Sequence, residues 1–181
     1  VYQVLPTEQL YLGLGDAIPD VSTATLAEDI LKVVDLESPI HVKQLSIRLL
    51  SAVGSSRSGA RINRAILDGV GLLNRQGKVE LDGEFIVAKS QDEITIRSRV
   101  DLPSNERKYD LIYDGEIAKA AIDTVKDTFS ISSDDLVKSV TEVLGFSSTS
   151  KAMKARTESI LLELVNSGTL SIQGDVIQAS T

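Results

Sequence analysis

The 181 residues carry 19 basic and 26 acidic side chains, a formal charge of −7 that argues against a general polyanion binder. Apolar residues make up 42%, ample for a core and against disorder, and the length suits one large domain or two small ones. Cysteine is absent and His41 is the only histidine, which excludes disulfides, thiolate metal sites and multi-histidine clusters.

Residues 1–23 read as an N-terminal arm. Leu5-Pro6 and the run Gly13-Leu14-Gly15-Asp16 interrupt any regular period, while Tyr2, Leu5, Leu10, Tyr11 and Leu12 are apolar enough to dock on a neighbouring surface. A helix capped by Ser22, Thr23 or Thr25 is expected to run to about Asp35, burying Leu26, Ile30, Val33 and Val34. The step Ser38-Pro39-Ile40-His41 breaks it, because proline disfavours helix in the residue before it. Val42, Leu45, Leu49 and Val53 then share one face of a short helix that Gly54 ends. Ser56 or Ser58 is the expected cap of the next helix, about Ser58 to Arg75, with Ile62, Ala65, Ile66, Val70 and Leu73 inward. Gly69 and Gly71 inside that helix each cost about 1 kcal/mol relative to alanine, so a close helix approach or a kink is expected there. Two helices joined by a tight glycine turn form a helix-turn-helix.

Val79 and Leu81, then Asp82-Gly83, then Phe85 and Val87 read as a β-hairpin. Residues 91–113 are a linker with one strand expected from Ile94 to Val100. A shift of 91 residues then overlays the chain on itself: Ala27, Leu31 and Val34 fall on Ala118, Ile122 and Val125, and Gly54, Gly77 and Gly83 on Gly145, Gly168 and Gly174. Such a repeat means two copies of one supersecondary unit. The expected fold is therefore mainly α with small β-hairpins, as tandem winged-helix (helix-turn-helix) repeats: a first lobe over 24–90 and a second over 114–181.

The copies match in core but not in charge. Pro39–Lys78 holds seven basic residues against Asp68 alone, +6, whereas Ser130–Gly168 holds four basic against five acidic, −1. The basic residues of the first copy are Lys43, Arg48, Arg57, Arg61, Arg64, Arg75 and Lys78. Arg57, Arg61 and Arg64 are spaced to share one face at the start of the second helix, the end that enters the major groove in helix-turn-helix proteins. Two readings fit this footprint. Lys43, Arg57, Arg61 and Arg64, with Lys78 at the hairpin, contact DNA; or the face pairs with the seven acids that residues 1–38 hold against Lys32 alone.

Other chemistry is poorly supported. Gly54-Ser-Ser-Arg-Ser-Gly59-Ala60-Arg61 matches a phosphate-binding loop in spacing only, since the Lys and Ser/Thr after Gly59 are missing. His41 at a helix entry reads as a structural hydrogen-bonding residue. The expectation is no catalytic residue, no cofactor and no metal, hence no enzyme in this stretch. No apolar run approaches the roughly 20 residues that span a bilayer and no signal peptide is visible. A cytoplasmic protein without a membrane partner is expected, and the start at Val1 reads as a piece of a larger polypeptide.

Glu37-Ser38-Pro39-Ile40-His41-Val42, followed by Arg48-Leu49, Gly54, Arg57, Gly59 and Arg61-Ile62, resembles an uncharacterised domain at the C-terminal end of large bacterial proteins related to superfamily 1 DNA/RNA helicases. The resemblance extends to Arg97-Ser98-Arg99 and Gly115-Glu116-Ile117, and departs at Ser55-Ser56, where relatives carry an apolar-basic pair. It implies a helicase-associated accessory region, with the ATPase part of the same polypeptide as a partner. Two functions follow as expectations: DNA binding through the basic helix-turn-helix, or a protein-interaction or autoregulatory module that docks on the motor or another subunit.

Overall fold

A computed structural model describes residues 1–14 and 17–180; the expected break at Gly15-Asp16 lies outside the described residues. The chain is mainly helical with small antiparallel sheets, and it divides into two compact units. The N-terminal unit is Gln3–Glu93; the C-terminal unit is Ile94–Thr181 together with Val1–Tyr2.

In the N-terminal unit, α1 (Thr23–Glu37) starts at Ser22, whose hydroxyl accepts from the Thr25 amide at 3.1 Å. It ends at Ser38, before the cis Ser38–Pro39 bond. A two-residue strand β1 (Ile40–His41) leads into α2 (Val42–Ala52). His41 caps α2, its Nδ1 accepting from the Lys43 amide at 3.0 Å, while its ring meets Phe85 edge-on at 5.0 Å. This is the structural role expected of it. After α2 the chain reverses at Gly54, whose φ of +66° suits a residue without a Cβ. Helix α3 (Ala60–Arg75) and the hairpin of β2 (Val79–Asp82) and β3 (Phe85–Ala88) complete the unit, and the sheet runs β1-β3-β2.

The core is built as the periodicity demands. Ile30, Val33 and Val34 of α1 are buried with Leu45 and Leu49 of α2, with Ile66, Val70 and Leu73 of α3, and with Val79 and Ile86 of the sheet. Each such side chain contributes about 1.5–3 kcal/mol by leaving water. Of the two interior glycines, Gly69 has the packing reason. A Cβ there would stand 2.7 Å from Ile30 Cδ1, so α1 and α3 touch closely. Gly71 has only Arg75 Nη1 within reach, at 3.4 Å.

Three short 3-10 turns, Thr7–Gln9, Tyr11–Leu14 and Ile18–Asp20, precede α1, and Leu5, Leu10, Leu12 and Ile18 enter this core. Their backbone needs partners that a regular element would have supplied. Two buried carboxylates provide them. Asp29 accepts from the Tyr11 and Leu12 amides and Glu37 from the Leu5 amide, each at 3.0 Å.

The C-terminal unit has α4 (Asp114–Thr128), β4 (Ser130–Ser132), α5 (Ser133–Val143), α6 (Lys151–Asn166), β5 (Leu170–Gln173) and β6 (Val176–Ala179), with sheet order β4-β6-β5. Each helix and each hairpin strand begins and ends 91 residues after its N-terminal counterpart. The positive-φ glycines 54, 77 and 83 recur as 145, 168 and 174. The strand pairing Ile40↔Ile86 recurs as Ile131↔Ile177.

Two expectations need correction, and one short strand was not anticipated. The segment Ile94–Val100 is not a strand. Its backbone groups bond outside any ladder: the Arg97 amide to Glu116 Oε1 at 2.7 Å, the Arg99 amide to the Leu144 carbonyl at 3.0 Å, and the Ser98 carbonyl to the Tyr2 amide at 2.8 Å. Residues 40–41 do form a strand, one too short to show a two-residue alternation. The helix expected from about Ser58 starts at Ala60, after Gly59, so neither Ser56 nor Ser58 caps it.

Candidate nucleic-acid interface

The five cations singled out by sequence are all exposed on the N-terminal unit, but they do not form one helical row. Arg57 sits in the loop before α3 rather than on the helix, its amide donating to Ser55 Oγ at 3.3 Å. Arg61 and Arg64 lie in the first turns of α3. Lys43 is at the start of α2, and Lys78 precedes β2. The N-terminus of α3 has Gly59 as its cap, no side-chain capping bond and no acid in its first turn. Its backbone N–H groups are therefore left for an anion, and the helix dipole favours one there. The Ser58 hydroxyl, expected to cap, donates to Asn63 Oδ1.

The neutralising acids are few. Arg64 Nε reaches Asp68 at 3.0 Å, one helical turn on, and Arg61 approaches Asp20 at 3.9 Å with both side chains mostly in solvent. Exposed pairs of this kind are worth about 0–1 kcal/mol and yield readily to a competing anion. Of the acids in the segment before α2, Asp29 and Glu37 are fully buried on backbone amides, whereas Glu8, Asp20, Glu28 and Asp35 are exposed and Asp20 approaches Arg61. Arg48, one of the seven basic residues behind the +6 of this segment, is inside. Its Nε donates to both oxygens of Glu37 at 3.0 Å. The hairpin turn opposite Lys78 carries Asp82 and Glu84, so the tip of the hairpin is acidic.

Two features escaped the sequence reading. The first is an apolar groove of about 430 Å³ between α2, α3 and the hairpin, floored by Val42, Ile66, Val70 and Ile86. Leu67 and Leu81 form its walls, and they are 54% and 47% exposed. The available signal was Leu67 itself, a leucine on the side of α3 where the core period calls for a polar residue. The second lies in the C-terminal unit. Glu116, fully buried at the start of α4, receives Arg97 Nη2 and both terminal nitrogens of Arg99, all at 2.8 Å. Tyr2 covers the two guanidinium groups at 4.7 and 5.2 Å. Burial pushes the Glu116 carboxyl up, but Arg99 and Arg97 together outweigh it and hold the group below its ordinary value. This cluster orders the chain before α4.

Among the described residues, no helix is long and apolar enough to cross a membrane. Residues 16–64, from the end of the first irregular segment into α3, match a family described as "Protein of unknown function (DUF3320)". No curated protein and no solved structure matches the chain.

Proposed function

We propose that the N-terminal unit is a winged-helix DNA-contacting module, with α2–α3 as its helix-turn-helix and β2–β3 as its wing. The order helix, strand, helix, helix, hairpin with the first strand beside the last supports this reading. The observation that carries it is the exposure of Arg57, Arg61 and Arg64 at a helix N-terminus without a side-chain cap, where Asp20 and Asp68 meet Arg61 and Arg64 only in exposed pairs. Contacts are to phosphate, from Lys43, Arg57, Arg61 and Arg64, with Lys78 at the base of the wing. The acidic tip of the wing and the net charge of −7 keep affinity in the non-specific range, about 10⁻⁴ to 10⁻⁶ M. The resemblance to helicase-related proteins supports a setting in the cytoplasm beside an ATPase of the same polypeptide. The C-terminal unit, a second winged helix without the cations, serves as a spacer or protein contact.

The test is a fluorescence-anisotropy titration on duplex, forked and single-stranded DNA at several salt concentrations. Four phosphate contacts give a slope of log affinity against log salt of roughly −3 to −4. Arg61→Glu combined with Arg64→Glu removes binding and leaves the helical circular dichroism unchanged. Salt-independent signals, or none at tens of micromolar protein, reject the reading. The groove beside α3 favours a second activity, docking of a protein segment.

A further inference from the structure

We infer that the groove between α2, α3 and the hairpin is a docking site for a short peptide segment of a partner protein, one with large apolar side chains flanked by carboxylates. Its volume of about 430 Å³ is that of a pocket for a compact ligand or a few anchoring side chains. Leu67 and Leu81 line the groove together with Ile66, Val70 and Ile86, and both stand about half in water. Peptide grooves read such anchors by burying them and use charge around them for choice of partner.

The charge around this groove is specific. Lys43 lines it, and its ammonium has no carboxylate partner among the described residues. Arg75 reaches toward Gly71, another lining residue, and it too has no ion-pair partner among them. The one acid in the lining, Glu84, has His41 Nε2 at 3.5 Å. The same place in the C-terminal unit shows what this one lacks. Position 43 corresponds to Asp134, 63 to Lys154 and 67 to Glu158. There the Lys154 ammonium spans from α6 to Asp134 of α5 at 2.7 Å and reaches Glu158 at 3.8 Å, closing that face with its own ions. In the N-terminal unit the carboxylate of this pair is replaced by a lysine, the lysine by Asn63, and the third charge by Leu67. A carboxylate from outside, on an apolar segment, gives Lys43 an ionic contact like the one Asp134 makes with Lys154 in the other unit.

The experiment uses the whole chain and a fluorescein-labelled peptide with adjacent leucines flanked by glutamates, beside a version flanked by lysines. Binding is read by anisotropy and located by amide chemical shifts. The glutamate peptide is expected to bind at least about tenfold more tightly than the lysine peptide, with shifts at Ser46, Leu67 and Leu81. Leu67→Glu, the residue of the counterpart position and exposed enough not to disturb the fold, weakens the glutamate peptide about tenfold. Lys43→Asp reverses the preference between the two peptides. Arg61→Glu with Arg64→Glu leaves peptide binding intact, so this proposal and the DNA reading fail separately. The proposal is overturned if the lysine peptide binds equally well or if Leu67→Glu binds as wild type. It is also overturned if the shifts fall outside the groove, if duplex DNA rather than peptide moves the Leu67 amide, or if sedimentation shows a dimer that Leu67→Glu dissociates.

Discussion

The N- and C-terminal units share a backbone and differ in what they do with it. Where α1 meets α3, the N-terminal unit sets Ile30 against Gly69; the counterpart positions of the C-terminal unit are Ala121 and Ile160, both in its core. The bulky residue has changed helices, and the combined volume is kept to within one methyl group. Charges diverge further. Lys43, Arg57, Arg61, Arg64 and Lys78 correspond to Asp134, Ser148, Ala152, Ala155 and Thr169. Turns repeat because they are demands of the backbone, met most readily by glycine at positive φ. Core positions repeat as sums over neighbours, because packing density constrains the pair rather than each member. Surface charge is constrained by neither, so there the two copies were free to part.

The comparison is most easily broken at the buried ions. Glu116 corresponds to Thr25, a half-buried residue bonded to the Ser22 hydroxyl at 2.8 Å. Glu116→Ala leaves Arg97 and Arg99 buried without their anion and should destabilise the C-terminal unit by about 3–5 kcal/mol. Thr25→Ala should cost about 1 kcal/mol or less. Urea unfolding followed by hydrogen exchange in each unit separates the two. The same site sets a pH dependence. Because the folded carboxyl lies below its ordinary value, its stabilisation is present above the unfolded value and disappears as pH falls through the folded one. Glu116→Gln should remove that acid-side loss from the C-terminal unit alone.

The exchanged core pair offers the next test. Gly69→Ile overfills the α1–α3 contact and should cost about 1–3 kcal/mol. Ile30→Ala leaves a cavity and should cost about 2–5 kcal/mol. Together they copy the C-terminal unit, and the double variant should recover about 0.5–3 kcal/mol relative to the sum of the two. Additivity in thermal unfolding would show that the two units do not pack by the same rule. The smallest effect is expected at Phe129, a mostly exposed residue at φ +63° whose counterpart Ser38 has φ −64°. Phe129→Gly should stabilise the C-terminal unit by up to about 1 kcal/mol, the relief of strain less the greater freedom of glycine in the unfolded chain. A lower midpoint in denaturant would mean the phenyl ring contributes contacts that outweigh the strain.

Much of this architecture can be written from the residues alone. The three- and four-residue spacing of Leu26, Ile30, Val33, Leu45, Leu49, Ile66, Val70 and Leu73 specifies the helices and their inner faces, and Asp82-Gly83 specifies a hairpin, because these are local properties of a chain. The 91-residue repeat is legible for the same reason, since each glycine turn is a local demand. Partners distant in sequence are another matter. Nothing near Arg48 in the chain tells that it lies inside on Glu37, while Arg61 stays in water. Ile94–Val100 alternates like a strand, yet its hydrogen-bond partners are a buried carboxylate and a helix-end carbonyl that only folding brings near. The groove beside Leu67 exists because α2, α3 and the hairpin meet there with a lysine and an asparagine where the other copy places an ion pair. Period and turn chemistry act over a few residues and are written in the chain; which charge is buried, and which face stays open, depends on groups that meet only when the helices pack.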